Sequence, residues 1–206
     1  MTPSSIRVAV LRHGPTAWTA ARKLQGRTDI PLSPEGRAAV AAWRLPDIAG
    51  IDWRDWPAYT SPLARCRETA DIVLRRMGLS PATVDERLVE RGFGAWEGET
   101  LVGLRARYGA EMAHWEAAGW DFRPPGGESP RDVLHRSMRF LQEMLQQGRS
   151  ILAVTHRSVI RALYGHARGW DMLGRPPEKL ADASLHLFRL STAGLSIERL
   201  NLPLAR

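Results

Sequence analysis

The stretch IRVAVLRHG, residues 6–14, joins an apolar run to an arginine, a histidine and a glycine. The run over residues 6–11 is typical of a buried strand, and the polar triplet begins where that strand would end. Gly14 permits a sharp turn and a close approach of the backbone to a ligand. The stretch therefore predicts a core strand whose end carries Arg12 and His13 into a binding site.

Outward from this stretch, strand-like and helix-like segments alternate along the whole chain. Apolar or β-branched content predicts further strands over residues 58–60, 83–89 and 151–155, and a closing hairpin over 184–190 and 195–200. Ser-Pro pairs and apolar spacing predict helices over residues 33–43, 61–77, 129–148 and 158–164.

Repeated strand–helix units predict an α/β protein of three α/β/α layers, with an open, mostly parallel sheet flanked by helices. We find no internal repeat and no linker, so we expect a single domain over residues 1–206. The segment at about 92–128 is rich in Trp and Gly, and we expect it to form a lid or insertion over the site. Ordinary packing remains the simpler interpretation of Trp96, Trp115 and Trp120.

Composition narrows the classes of function. The net charge of +7 comes mostly from arginines scattered along the chain, without a basic run, so we expect no nucleic-acid partner. The single cysteine, Cys66, excludes an intrachain disulfide and favours a reducing compartment. No His, Cys or carboxylate grouping has zinc-ligand spacing, so no metal and no cofactor are predicted. No signal peptide or membrane span is evident, and we expect a cytoplasmic protein without a membrane partner.

Polar groups follow four of the predicted strands, at the end of each. They are Arg12-His13-Gly14, Arg65, Glu90 and His156. Ligands of open α/β sheets bind at the carboxyl ends of the strands, so these groups would converge. Taken singly, each has a plainer interpretation: solvated arginines, a carboxylate paired with Arg91, or a core histidine.

Together, these groups predict phosphoryl transfer through a covalent intermediate. Neutral His13 would attack phosphorus, because neighbouring Arg12 and Arg65 disfavour a protonated imidazole. The two guanidiniums would hold the phosphoryl oxygens, with His156 as a further donor. Glu90 would protonate the leaving alkoxide and then deprotonate the attacking water.

Six segments resemble the histidine phosphatase superfamily, in its phosphoglycerate-mutase-like branch. They are LRHGPTAW, LQGRTDIPLSPEGR, SPLARCRETA, DERLVERGFGAWEG, PPGGESP and VTHRSVIRAL. The resemblance implies a metal-independent enzyme with His13 as the phosphorylated nucleophile, Glu90 as the proton donor, and Arg12, Arg65 and His156 as the phosphate pocket. The substrate-binding residues predicted beside them are Gly14, Thr16, Thr19, Gln25, Gly26 and Arg157.

Departures from the family pattern bear on the substrate. Thr19 stands where the family usually has an asparagine, Pro15 replaces a common glutamate, and Arg157-Ser158 replace two small residues. Arg157 would contact an acidic substrate or point away. The segment FGAWEGETLVGLRARYG lacks the asparagine-lysine pair of cofactor-dependent mutases.

The favoured prediction is therefore a phosphomonoester hydrolase acting on a small phosphorylated metabolite, of the broad-specificity or alpha-ribazole-phosphatase type. A cofactor-dependent phosphoglycerate mutase and a catalytically silent module that binds a phosphorylated ligand stay open. The oligomeric state stays open as well.

Overall fold

One mixed sheet of six strands organises the computed structural model, which describes residues 4–204. The strands are β1 Ser5–Arg12, β2 Ala58–Thr60, β3 Thr83–Val84, β4 Ile151–Thr155, β5 Ser184–Ser191 and β6 Gly194–Pro203. Their order across the sheet is β3-β2-β4-β1-β5-β6. The pairs β3–β2, β2–β4 and β4–β1 are parallel, whereas β1–β5 and β5–β6 are antiparallel.

Helices cover both faces of this sheet. In chain order, the α-helices of the described residues are α1 Ala17–Ala20, α2 Pro34–Ala41, α3 Ala64–Arg76, α4 Leu101–Tyr108, α5 Ala110–Glu116, α6 Pro130–Gln146 and α7 Arg157–Arg168. Among residues 4–204, none of these helices combines the length and the apolar character that crossing a membrane would require.

Alternation along β1 divides the core into two halves. Val8 and Val10 pack on the side of α6 and α7, while Ala9 and Leu11 pack on the side of α2 and α3. All four side chains are buried, as expected of a central strand covered on both faces. The predicted three-layer α/β/α architecture is confirmed, and so is the closing hairpin of β5 and β6.

Side-chain caps explain where two of the predicted helices begin. Ser33 accepts a hydrogen bond from the backbone amide of Gly36 at the start of α2. Ser129 and Asp132 form a reciprocal capping box at the start of α6. The helix predicted from residue 61 begins later, at Ala64, and α7 is longer than predicted because only Gly169, with φ of 71°, ends it.

The predicted strand over residues 83–89 is wrong beyond its first two residues. Asp85 accepts a hydrogen bond from the amide of Arg87 and turns the chain into a short 3₁₀ helix, Glu86–Leu88. An aspartate competes for backbone groups in this way and interrupts a strand. The segment leading to Glu90 is attached to the sheet instead by Thr155, whose hydroxyl donates to the Leu88 carbonyl at 2.7 Å.

The Trp- and Gly-rich segment at 92–128 contains α4 and α5 and a small core of its own. Trp96, Leu104 and Met112 are buried there, and the Trp115 ring lies 5.4 Å from the Trp96 ring. The indole of Trp120 donates to the Trp170 carbonyl at 2.9 Å. All three tryptophans thus pack within the protein, and a role of the segment as a lid remains a prediction.

Candidate active site

Two histidines leave neighbouring parallel strands side by side. Arg12 on β1 is in register with Thr155 on β4, and the His13 amide donates to the Thr155 carbonyl at 3.0 Å. The next residue after each strand is a histidine. The ring centroids of His13 and His156 therefore lie only 5.2 Å apart, and both side chains are buried.

The tautomer of neutral His13 follows from its hydrogen bond. Its Nδ1 lies 2.7 Å from the Gly14 carbonyl oxygen, which can only accept, so Nδ1 carries the proton and Nε2 carries the lone pair. Burial lowers the pKa of His13 well below its usual value, and the charges of Arg12 and Arg65 lower it further. His13 is thus an uncharged imidazole with an available nucleophilic nitrogen.

His156 lies deeper, between β4 and the start of α3. Its Nε2 is 2.7 Å from the Ser61 hydroxyl and 3.3 Å from the Cys66 sulfur. Burial, then the nearby His13 and Arg65, lower the pKa of His156. Burial also raises the pKa of the Cys66 thiol, so the neighbour of His156 is an uncharged S–H group.

Arg65 is completely enclosed. It lies in the first turn of α3, and its Nη1 and Nη2 donate to the carbonyls of Thr28 (2.9 Å) and Gly26 (2.7 Å). Its Nε is buried and has no hydrogen-bond partner among the described residues. Burial lowers the pKa of Arg65, an effect that the Glu90 carboxylate opposes. A solvated surface role for Arg65 is thereby excluded.

Arg12 is held differently. Its Nη1 contacts the carboxylate of Asp182, in the loop that enters β5. Its Nε, like that of Arg65, is buried without a partner among residues 4–204. Both predicted phosphate-binding arginines therefore have a buried N–H group that no described residue satisfies, as expected of a donor to a bound oxyanion.

Glu97 holds the loop that covers Arg65. Its carboxylate accepts from the amides of Arg27 and Thr28, both at 2.9 Å, and from the amide of Phe93 at 3.1 Å. Burial raises the pKa of Glu97, but these bonds and the Thr28 hydroxyl outweigh it and lower the pKa overall. Gly26 is necessary here, because its φ is +54° and an added Cβ would lie 2.0 Å from a Glu97 oxygen.

Other predicted binding residues support the turn after β1. The Gly14 amide donates to the Thr69 hydroxyl at 2.9 Å, and a Cβ at Gly14 would lie 2.3 Å from the Val40 side chain. Thr16 caps α1 through a reciprocal pair of bonds with Thr19. The Gln25 amide nitrogen donates to the Thr19 hydroxyl at 3.0 Å, which leaves the buried Gln25 Oε1 without a partner among the described residues.

Glu90 lies buried beside this pocket. One of its oxygens accepts from the Arg91 amide at 2.7 Å. The Arg91 side chain donates instead to the carbonyls of Glu128 and Phe122, and burial lowers its pKa to about 10. The alternative that Glu90 merely forms an ion pair with the Arg91 guanidinium is thus not what the structure contains.

Arg157, by contrast, is exposed at the first position of α7. No group of three or more metal-ligating side chains occurs in the part of the chain that the structure describes. The remaining arrangement can bind a tetrahedral oxyanion through guanidinium and imidazole groups, with a neutral nucleophile and the carboxyl group of Glu90 nearby.

Four residues of the site were not predicted: Ser61, Thr69, Glu97 and Asp182. Ser61 directly follows β2, so the rule that ligands bind at strand ends could have found it. Asp182 precedes a strand rather than following one, and only the antiparallel pairing of β5 with β1 brings it to this edge.

Known proteins resemble this chain over most of its length. A family model described as the histidine phosphatase superfamily (branch 1) matches residues 8–203. A 2,3-bisphosphoglycerate-dependent phosphoglycerate mutase of Azorhizobium caulinodans is 32% identical over 190 residues, which cover 89% of this chain and 91% of the mutase.

Two solved structures have similar folds and cover almost the whole chain. A protein described as mycobacterial hydrolase 1 has a TM-score of 0.77 at 27% identity, covering 97% of this chain and 99% of the other. A mycobacterial glucosyl-3-phosphoglycerate phosphatase, solved with VO₃, has a TM-score of 0.75 at 27% identity, covering 96% and 99%.

Proposed function

Because the chain belongs to the histidine phosphatase superfamily (branch 1), we propose that it is a metal-independent phosphomonoester hydrolase that acts through a phosphohistidine. The observation that carries the proposal is the state of His13, a buried neutral imidazole whose Nε2 lone pair is available. The substrate is a small phosphorylated metabolite. We place the activity in the cytoplasm, in keeping with the single, unpaired Cys66.

The first half of the reaction transfers the phosphoryl group to the protein. Nε2 of His13 attacks phosphorus in line, the N–P bond forms, and the bond from phosphorus to the ester oxygen breaks. The free N–H groups of Arg12 and Arg65 hold the equatorial oxygens, on which charge spreads in the transition state. Protonated Glu90 gives its proton to the departing alkoxide.

The second half regenerates the protein. Glu90, now a carboxylate, takes a proton from water as the water oxygen attacks phosphorus and the N–P bond breaks. Inorganic phosphate is the product. The Gly14 carbonyl continues to accept from Nδ1 throughout, which keeps the imidazole oriented.

The choice of hydrolysis over mutase activity rests on the segment at 92–128. A mutase must hold an acidic intermediate so that its phosphoryl group returns to a different oxygen. Two basic residues of α4, Arg105 and Arg107, are instead paired with Glu116 and Glu99. Phosphoglycerate mutase activity is the second candidate, because curated relatives have that name.

Two arginines of α7 favour a substrate whose leaving group is acidic. Arg157 and Arg161 lie one turn apart on the same face, and among residues 4–204 no carboxylate lies within 4.0 Å of either guanidinium. Arg161 is half-buried, with its guanidinium 5.1 Å from the Trp170 ring centre, and burial and Arg157 lower its pKa. An anionic group on the substrate would relieve the repulsion between these two guanidiniums, which belong to the helix that begins after His156.

The test is phosphate release from a panel of phosphomonoesters, with and without a chelator. The panel contains p-nitrophenyl phosphate, 3-phosphoglycerate, sugar phosphates, nucleotides and alpha-ribazole phosphate. Wild type is compared with His13→Ala and with His135→Ala, a matched histidine that is exposed on α6. We expect chelator-resistant release that only His13→Ala abolishes.

Two outcomes would contradict the proposal. Interconversion of 2- and 3-phosphoglycerate without net phosphate release would indicate a mutase. Binding of phosphorylated ligands without turnover, and without an acid-labile phosphoryl label on the protein, would indicate a silent binding module.

A further inference from the structure

The contact between Arg12 and Asp182 ties the phosphate pocket to the loop that enters β5. The carboxylate of Asp182 accepts a hydrogen bond from Nη1 of Arg12. A guanidinium also has a second edge, formed by Nε and Nη2, that can bind two oxygens at once. The Nε on that edge is buried and has no partner among the described residues.

Strand pairing explains why this loop reaches the pocket. β5 runs antiparallel to β1, with Leu185 opposite Leu11. The residues that enter β5 therefore lie at the same edge as the residues that leave β1. Asp182, three residues before Leu185, is thereby brought level with Arg12 and His13.

The backbone around Asp182 is fixed although its side chain is 71% exposed. Oδ1 of Asn201, on β6, accepts from the Ala181 amide at 2.7 Å, and its Nδ2 donates to the Lys179 carbonyl at 2.9 Å. The Ser184 hydroxyl donates to the Ala181 carbonyl at 2.7 Å. The loop is therefore held from both sides, which presents the carboxylate to Arg12 in one place.

We propose that Asp182 is a positioning residue that holds Arg12 by Nη1 and so directs the Nε–Nη2 edge of the guanidinium to the phosphoryl group at His13. This inference rests on the proposed function, in which Arg12 binds that group. Backbone carbonyls do the same for Arg65. For Arg12, Asp182 takes the place of these carbonyls, since no backbone carbonyl among residues 4–204 accepts from its guanidinium.

The role requires an acceptor oxygen more than it requires a negative charge. A carboxylate beside the pocket also repels phosphate, although its exposure screens that repulsion. Asparagine retains an acceptor oxygen at the same atom and removes the charge. The pair Asp182→Ala and Asp182→Asn therefore separates positioning from repulsion.

The experiment measures the Kd of inorganic phosphate and of orthovanadate by calorimetry, together with kcat and KM for p-nitrophenyl phosphate. For Asp182→Ala we expect affinity and kcat/KM to fall about three- to tenfold, since one charge-assisted hydrogen bond is lost. Asp182→Asn should lie within about twofold of wild type. Asp52→Ala, which removes an exposed partner of Arg54, is the matched control and should change neither value.

A double-mutant cycle then tests whether the effect acts through Arg12. In an Arg12→Ala background, Asp182→Ala should change the phosphate Kd by less than about twofold, because the group that it positions is gone. Unchanged or tighter phosphate binding in Asp182→Ala alone would overturn the proposal, as would an undiminished effect in the Arg12→Ala background.

Failure of the proposed function would be seen separately. In that case wild type would bind phosphate but release none from any ester, while the Kd values of the Asp182 variants would still decide the positioning role. Thermal unfolding of each variant, measured beside the binding, distinguishes a misfolded protein from a displaced guanidinium.

Discussion

The candidate site has a buried part, the floor, and a more exposed part, the rim, and their side chains are held in different ways. The floor consists of His13, Arg65 and His156, which are all buried at strand ends or in the first turn of a helix. The rim consists of Arg157 and Arg161 on α7, which face solvent or a tryptophan ring. In the proposed reaction, the floor would contact the phosphoryl group that every substrate shares, whereas the rim would contact the part that differs.

The difference shows which side chains of the site the fold holds in place. Each floor side chain is bound to groups that the fold itself fixes, such as the Gly14 carbonyl for His13 and the Gly26 carbonyl for Arg65. No carboxylate among residues 4–204 lies within 4.0 Å of either rim guanidinium. Substitutions in the floor should therefore affect all substrates alike, and substitutions outside it should discriminate among them.

The largest discriminating effect is expected at Glu90, which lies between floor and rim. Glu90→Gln cannot protonate a leaving alkoxide, so kcat/KM for alkyl phosphates should fall about 10²–10⁴-fold. With p-nitrophenyl phosphate, whose leaving group hardly needs a proton, we expect a loss of about tenfold or less. Steady-state kinetics on both ester types measure this, and equal losses would remove Glu90 from the acid role.

A glycine in the loop over Arg65 tests the floor without touching a reacting group. Gly26→Ala would place a methyl group against the Glu97 carboxylate at a positive φ, so we expect kcat/KM to fall about 10–100-fold for every ester. Unfolding should cost about 1–3 kcal/mol less free energy than in wild type.

Gly78→Ala is the matched control for Gly26→Ala. Its φ is +65°, but an added Cβ would meet nothing within 4 Å. It should therefore share the backbone strain and retain activity. If both variants kept wild-type kinetics, the loop would not be what orients Arg65.

Acidification should lower the free energy of unfolding through protonation linked to His13. The pKa of His13 is lowered in the folded protein, so below its ordinary value of 6.5 the unfolded chain binds a proton that the folded protein does not. The contribution of neutral His13 to the free energy of unfolding is therefore fully present above pH 6.5. It falls as the pH falls, by at most about 1.4 kcal/mol per pH unit.

Urea unfolding at pH 7.5 and pH 5 measures this contribution. The loss of unfolding free energy on acidification should be smaller in His13→Ala than in wild type. His135→Ala, which removes an exposed histidine, should retain the wild-type loss. An identical pH dependence in His13→Ala would mean that His13 is not held neutral by the fold.

The smallest effect is expected at the rim. Arg161→Gln and Arg157→Gln should each raise KM for 3-phosphoglycerate about three- to tenfold, while KM for p-nitrophenyl phosphate stays within about twofold of wild type. Arg139→Gln, an exposed arginine on α6, is the control. A similar rise for both substrates would show that the rim does not distinguish acidic leaving groups.

Most of the floor was predictable because it depends on local order in the chain. Residues that directly follow β1 and β4 must meet when these parallel strands pair, so His13 and His156 could be placed from the apolar runs before them. Arg65 followed from the helix start after β2. Glu90 was placed after a strand predicted over residues 83–89, and this reasoning is wrong beyond Val84, where Asp85 starts a 3₁₀ turn; the resemblance to the family pointed to the same residue.

The sequence by itself determined which residues lie at strand ends, because apolar periodicity and chain order are local properties. The tertiary structure decided what holds those residues. The Glu97 carboxylate holds the loop over Arg65 from about 70 residues away, and Asp182 reaches Arg12 through an antiparallel pairing across 170 residues. Such contacts depend on which strands become neighbours in the sheet, and no short-range pattern in the chain specifies that pairing.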